Sequence, residues 1–164
     1  MAAVWPDQPF TAIYETNGNF GKSTRKVVWD GHGHGRTEIA GRTGTNIGII
    51  DAKSQSVTMC MPGSAPIHVP LTDRDAEQMG LQVESIVSGR TPIGSRVIDG
   101  HLCTGQRYSM GDYTIESWFD PSIKQNRQTI TTHPQLGVTT SHLVFYSAAA
   151  PDPAQFVVTQ AQNN

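Results

Sequence analysis

The sequence predicts a mainly β (α+β) chain: two antiparallel β-meanders separated by a short helical insert near residues 71–88. Three observations lead there. Apolar and polar residues alternate with a period of two over many short runs, the pattern of half-buried strands. Turn-forming pairs such as Asn17-Gly18, Asp30-Gly31, Asp99-Gly100 and Met110-Gly111 separate those runs. The chain carries 16 Gly and 10 Pro with only 16% charged residues, a balance that favours turns and strands over exposed helices.

Taken in order, residues 8–16 alternate Phe10, Ala12 and Tyr14 against Thr11, Ile13 and Glu15. Strands are expected next over 24–30 and 34–40, joined at Asp30-Gly31, and then over 46–52 and 55–61 across Lys53-Ser54. Pro62, Pro66 and Pro70 then break any ladder, because proline has no amide donor. Thr72 with Asp75 resembles a capping box and opens a short helix over 73–79, ended by Gly80. Residues 81–88 fit neither period, and 89–95 read as a loop. Strands resume over 96–99, 101–109, 112–120, 124–132 and 140–147. Phe156 docks the closing segment, the ordered core spans about 8–158, and 159–164 form a flexible tail of one domain, 1–164.

A weak internal echo accompanies this layout. Residues 29–52 and 98–121 share Asp30/Asp99, Gly31/Gly100, His32/His101, Thr45/Thr114 and Asp51/Asp120, mostly at turns where such residues recur for local backbone reasons.

Composition excludes several classes. Twelve Lys+Arg against fourteen Asp+Glu leave no basic excess for phosphates, so nucleic acid is not an expected partner. No apolar run reaches the roughly 20 residues of a membrane-spanning helix. Met1 to Pro6 shows neither the basic nor the apolar region of a secretory leader. Cys60 and Cys103 lie 43 residues apart, matching neither a redox pair nor a zinc knuckle; a disulfide and two buried thiols both remain open.

Candidate chemistry is sparse. His32-Gly33-His34 would place two imidazoles on one strand face, but a catalytic zinc needs a third ligand, and the flanking glycines read as a turn with solvated histidines. Residues 41–46 lack the spacing and following helix of a phosphate loop. Asp51, Asp99 and Asp120 end strands, where Asp forms turns, and are not an acid–base pair. No catalytic residue and no cofactor is expected.

Apolar strand residues carry more information. A sheet of about 8–11 strands with so little helix must curl on itself or leave a concave apolar face covered by the insert. Such a concavity suits an acyl chain or other hydrophobic ligand, with Phe10, Tyr14, Trp29 and Trp118 as expected lining.

The order of motifs resembles a known family. Val28-Trp29-Asp30-Gly31, Arg36-Thr37-Glu38, Ile49-Ile50-Asp51 and Met59-Cys60-Met61-Pro62 are followed by G-x-x-x-x-D-G-x-x-C over Gly94–Cys103. Trp118-Phe119-Asp120 and Asp152-Pro153-Ala154-Gln155-Phe156 complete the series. Over residues 10–156 this is similar to exported bacterial domains of unknown function with a LolA/LppX-like lipoprotein-carrier fold. The resemblance implies a strongly curved open half-barrel with helices against its concave face, a periplasmic or cell-envelope location, and a lipid or acyl ligand. It supplies no catalytic residues. The insert is shorter than in a lipoprotein carrier, and the leader that export requires is not seen. Two alternatives accompany this reading: a metal-dependent small-molecule enzyme through His32 and His34, and a structural or protein-interaction module.

Overall fold

The computed structural model describes residues 5–72, 75–76 and 89–158. They form one open antiparallel sheet of 11 strands. In chain order these are β1 (Phe10–Gly18), β2 (Gly21–Trp29), β3 (His34–Gly41), β4 (Gly44–Asp51), β5 (Ser56–Cys60) and β6 (Ile67–Pro70). The second series is β7 (Thr91–Ile98), β8 (His101–Met110), β9 (Tyr113–Asp120), β10 (Gln125–His133) and β11 (Gly137–Ser147). Both series are meanders. They join where β11 returns to pair with β1, giving the order β6-β5-β4-β3-β2-β1-β11-β10-β9-β8-β7.

The turn chemistry explains the hairpins. Asp30 Oδ1 accepts the amides of His32 and His34 at 2.6 and 2.9 Å. Asp51 Oδ1 accepts those of Lys53 and Ser54, and Asp120 Oδ1 accepts that of Ser122. Three of the four aspartates shared by the two echoing stretches, Asp30, Asp51 and Asp120, therefore serve the local backbone, whereas Asp99 pairs with His142 on β11.

Two strands depart from expectation. Ile67–Pro70 pairs with β5 although prolines flank and end it, and β7 begins at Thr91 and includes Pro92, well before residue 96. Both are the outermost strands of the sheet, where one edge needs no ladder donor and proline is tolerated.

The helical insert is corrected in part. Its opening is present: Asp75 Oδ2 accepts from Thr72 N and Oγ1 at 3.0 and 2.5 Å, and Ala76 N donates to Thr72 O. Residues 73–74 and 77–88 lie outside the described residues, as do 159–164. Among the described residues the one complete helical element is the 3-10 turn Pro153–Phe156, so the described structure does not supply a helical cover for the sheet. That turn is capped by Asp152, whose side chain accepts from Ala154 N, and it is tied to β3 by Arg36 Nη1 donating to Gln155 O at 3.0 Å.

Candidate functional site: the inner face of β1 to β6

Directly opposed residues of antiparallel strands share a face. Starting from Phe10, Ala12 and Tyr14 on β1, the register assigns Trp29, Val27 and Arg25 on β2 to the same face, here called inner. One row continues Trp29, Gly35, Ile50, Val57, Val69; the next continues Val27, Thr37, Gly48, Met59, Ile67. Phe10, Ala12, Tyr14, Val27, Trp29, Ile50, Val57 and Leu143 are buried together there, and Ala76, from the segment after β6, joins them.

One end of this face is closed by aromatic stacking. Trp5 lies on Trp29 with ring centroids 5.1 Å apart, and Trp29 Nε1 donates to Pro6 O at 2.8 Å. Tyr146 stacks on Phe10 from the β11 side. Tyr14 buries its ring under the Arg25 guanidinium, 4.6 Å from the centroid, and its hydroxyl donates to Gln125 Oε1 at 3.1 Å. Burial pushes its hydroxyl pKa up to about 12, only partly offset by the positive charge of Arg25.

Toward β6 the face is hollow. A cavity of about 460 Å³ is walled by Ile39, Ile50, Val57, Met59 and Val69, with Thr37, Asn46, Thr72 and Asp75 as polar groups around it. Gly48 explains the space, since it presents no side chain between Thr37 and Met59; a Cβ there would stand 2.8 Å from Thr37 Oγ1.

Of the expected lining residues, the structure brings Phe10, Tyr14 and Trp29 together beside this hollow, as its aromatic backing rather than its wall. Trp118 is elsewhere. Tracing from Thr16 through Ser141 and Thr129 reaches Ser117, so Trp118 points from the opposite face. It lies over Gly105 with Ile98, Cys103 and Ile93, under the Arg96 guanidinium at 3.9 Å.

The other candidates resolve locally. His32 lies in the turn and His34 opens β3, so they do not share a strand face; His34 Nδ1 instead sits 2.7 Å from Asp30 Oδ2. No group of three or more metal-ligating side chains occurs among the described residues. Cys60 and Cys103 are buried free thiols on β5 and β8, so the disulfide is not formed.

Three contributors escape a period-two reading: Trp5, Leu143 and Tyr146. Leu143 and Tyr146 both face inward because β11 is irregular opposite Ile13 and Tyr14, which reverses the alternation and leaves Phe145 half-exposed. Trp5 had a signal, a tryptophan before proline just ahead of the first strand.

Among solved structures the chain is similar to an uncharacterized conserved protein from Thermus thermophilus, with TM-score 0.70 and 11% identity over 96% of this chain and 89% of that one. The chain shares this fold. It is also similar to a chain of the Pseudomonas aeruginosa MucA/MucB complex, with TM-score 0.59 and 15% identity over 94% of this chain and 56% of that one, so it spans about half the length of that relative. A LolA superfamily protein, NE2245 from Nitrosomonas europaea, matches at TM-score 0.48 and 11% identity over 94% of this chain and 92% of that one, too distant to carry a conclusion. No protein-family profile and no curated protein matches the chain. No helix among the described residues is long and apolar enough to cross a membrane.

Proposed function

We propose that this chain is a non-enzymatic binding or carrier protein of the cell envelope, holding a lipid or other hydrophobic ligand against the inner face of β3 to β6. The observation that carries the reading is the hollow of about 460 Å³ walled by Ile39, Ile50, Val57, Met59 and Val69. Its volume falls within the roughly 300–1,000 Å³ of small-molecule sites, and its mostly aliphatic wall suits an acyl chain. Each methylene buried there contributes ~0.8 kcal/mol, so a chain of moderate length binds usefully without polar contacts. Thr37, Asn46, Thr72 and Asp75 sit where a polar end would emerge. Phe10, Tyr14 and Trp29 serve as a rigid backing to the hollow, and Trp118 serves packing on the other face. The motif order of the LolA/LppX-like group supports the same ligand class and an envelope location.

The test is solvent extraction of protein purified without detergent, followed by mass spectrometry and titration with a fatty-acid probe. Co-purified amphiphiles or saturable probe binding support the reading; a clean extract with no probe response refutes it. A reporter fusion that matures only outside the cytoplasm tests the location.

A second reading, an interaction module, has one observation in its favour. Val97 and Leu102 oppose each other on β7 and β8 and are 66% and 64% exposed, an apolar pair at the outermost strand of the described sheet. The fold shared with a chain of the MucA/MucB complex is compatible with a polypeptide partner. Size measurement over a concentration series, with and without Leu102→Lys, separates self-association from the carrier reading.

A further inference from the structure

The sheet forks between β10 and β11. These strands pair only over Gln128–His133 against Gly137–His142. Yet β9 stays on β10 down to the Asp120–Gln125 pair, and β11 stays on β1 down to the Ser147–Thr11 pair. Both strands are irregular at the split, β10 between Asn126 and Gln128 and β11 opposite Ile13 and Tyr14. Such irregularities end pairing and re-aim side chains. The fork holds a cavity of about 470 Å³, bounded by Asp99, His101, Arg127 and His142 and by the side of β11 over residues 143–146. It is separate from the hollow on β3 to β6.

The charges around it are unevenly satisfied. Asp120 is 2% exposed and accepts from Arg127 Nε at 2.6 Å and from Ser122 N and Oγ at 2.9 and 2.6 Å. Arg127 is thereby neutralised, and His101 Nδ1 stands 3.6 Å from the same carboxylate. Asp99 is half-exposed; its Oδ2 meets His142 Nε2 at 2.8 Å, and among the described residues its Oδ1 meets no donor. Asp120 is balanced by Arg127, whereas Asp99 has no lysine or arginine paired with it among the described residues. Opposite it lies the side of β11 over residues 143–146, where Phe145 is 49% exposed and Tyr146 is part-buried.

We propose that this fork is a second ligand site, for a small amphiphile with a protonated amine head. The ammonium donates to Asp99 Oδ1, and the apolar body lies along β11 against Phe145 and Tyr146. An anionic head would meet the Asp99 carboxylate, while Arg127 at the cavity wall is already held by the buried Asp120.

Titration of the protein with hexylammonium, followed through the ring-proton resonances of His101 and His142, tests this directly. Saturable shifts of both rings are expected, with no comparable response to hexanoate. Asp99→Asn should weaken binding by about tenfold, the loss of one charge-assisted hydrogen bond. Asp99 has φ 51°, a left-handed conformation that Asn also adopts, so the variant keeps the turn. Saturating dodecanoate, the probe for the β3 to β6 hollow, should leave the hexylammonium response in place, whether or not dodecanoate itself binds. Absence of saturable shifts, equal binding of hexanoate, unchanged affinity in Asp99→Asn or displacement by dodecanoate would each overturn the proposal.

Discussion

Gly105→Ala probes the placement of Trp118 away from the inner face. Gly105 opposes Trp118 across β8 and β9, and a Cβ added there would lie 2.6 Å from Trp118 Cζ3, 2.8 Å from its Cη2 and 2.7 Å from Ile93 Cγ1. Carbon atoms in contact ordinarily sit ~3.5–4.0 Å apart, so the overlap approaches a full ångström. Trp118 is 7% exposed and lies beneath the Arg96 guanidinium at 3.9 Å, which leaves the indole little room to retreat. Overpacking of this kind costs ~1–3 kcal/mol, against a gain of ~0.4–1 kcal/mol from the stiffer unfolded chain. A net loss of ~1–2 kcal/mol should lower Tm by roughly 2–8 °C for a chain of this size. Gly41→Ala is the control: nothing lies within 4 Å of its added Cβ, so only the gain should appear. Urea unfolding followed by tryptophan fluorescence, with near-ultraviolet circular dichroism of the native state, measures both. Fatty-acid affinity should be unchanged in Gly105→Ala. A variant as stable as Gly41→Ala would show that Trp118 does not lie on β8.

Met59→Trp fills the hollow beside Gly48 and should abolish fatty-acid binding with a change in stability of about 1–3 kcal/mol; retained affinity, measured by calorimetry, would move the ligand elsewhere. Tyr14 should ionise near pH 12, about two pH units above a tyrosine's ordinary value, in absorbance titration at 295 nm. Because the unfolded chain releases that proton near pH 10, stability should fall between about pH 10 and 12, a trend Tyr14→Phe reduces, leaving the part due to Tyr146, which burial also raises. Burial works to raise the Asp120 pKa, but hydrogen bonds from Ser122 and Arg127 outweigh it and hold the carboxyl below its ordinary range. Its stabilisation is therefore complete above the unfolded value of about 3.9 and is lost as pH falls through the lower folded value. Asp120→Asn should flatten that acid limb in denaturant titrations, while leaving Arg127 unpaired at a cost of ~3–5 kcal/mol.

The meanders were legible because alternation and Asp-Gly turns are local signals, and the capping box at Thr72 and Asp75 was readable for the same reason. β6 and the start of β7 were not, since a proline says nothing about whether its strand lies at a sheet edge. The common face of Phe10, Tyr14 and Trp29 was legible because it follows from one uninterrupted hairpin. Trp118 was misplaced with them because its face depends on a register carried through β11 and β10. The irregularity in β11 likewise puts Leu143 and Tyr146 on one face, which strict alternation along the strand would not allow. The Cys60–Cys103 pairing is a question of distance across the sheet, with β4 to β1 and β11 to β9 between the two strands.

The most direct test of a hydrophobic-ligand site on β3 to β6 is methyl-resolved NMR of the protein titrated with dodecanoate. Saturable shifts should appear at Ile39, Ile50, Val57, Met59 and Val69, the wall of the hollow. No saturable change at these methyls, or shifts confined to Leu143 and Val144 at the fork, would contradict it.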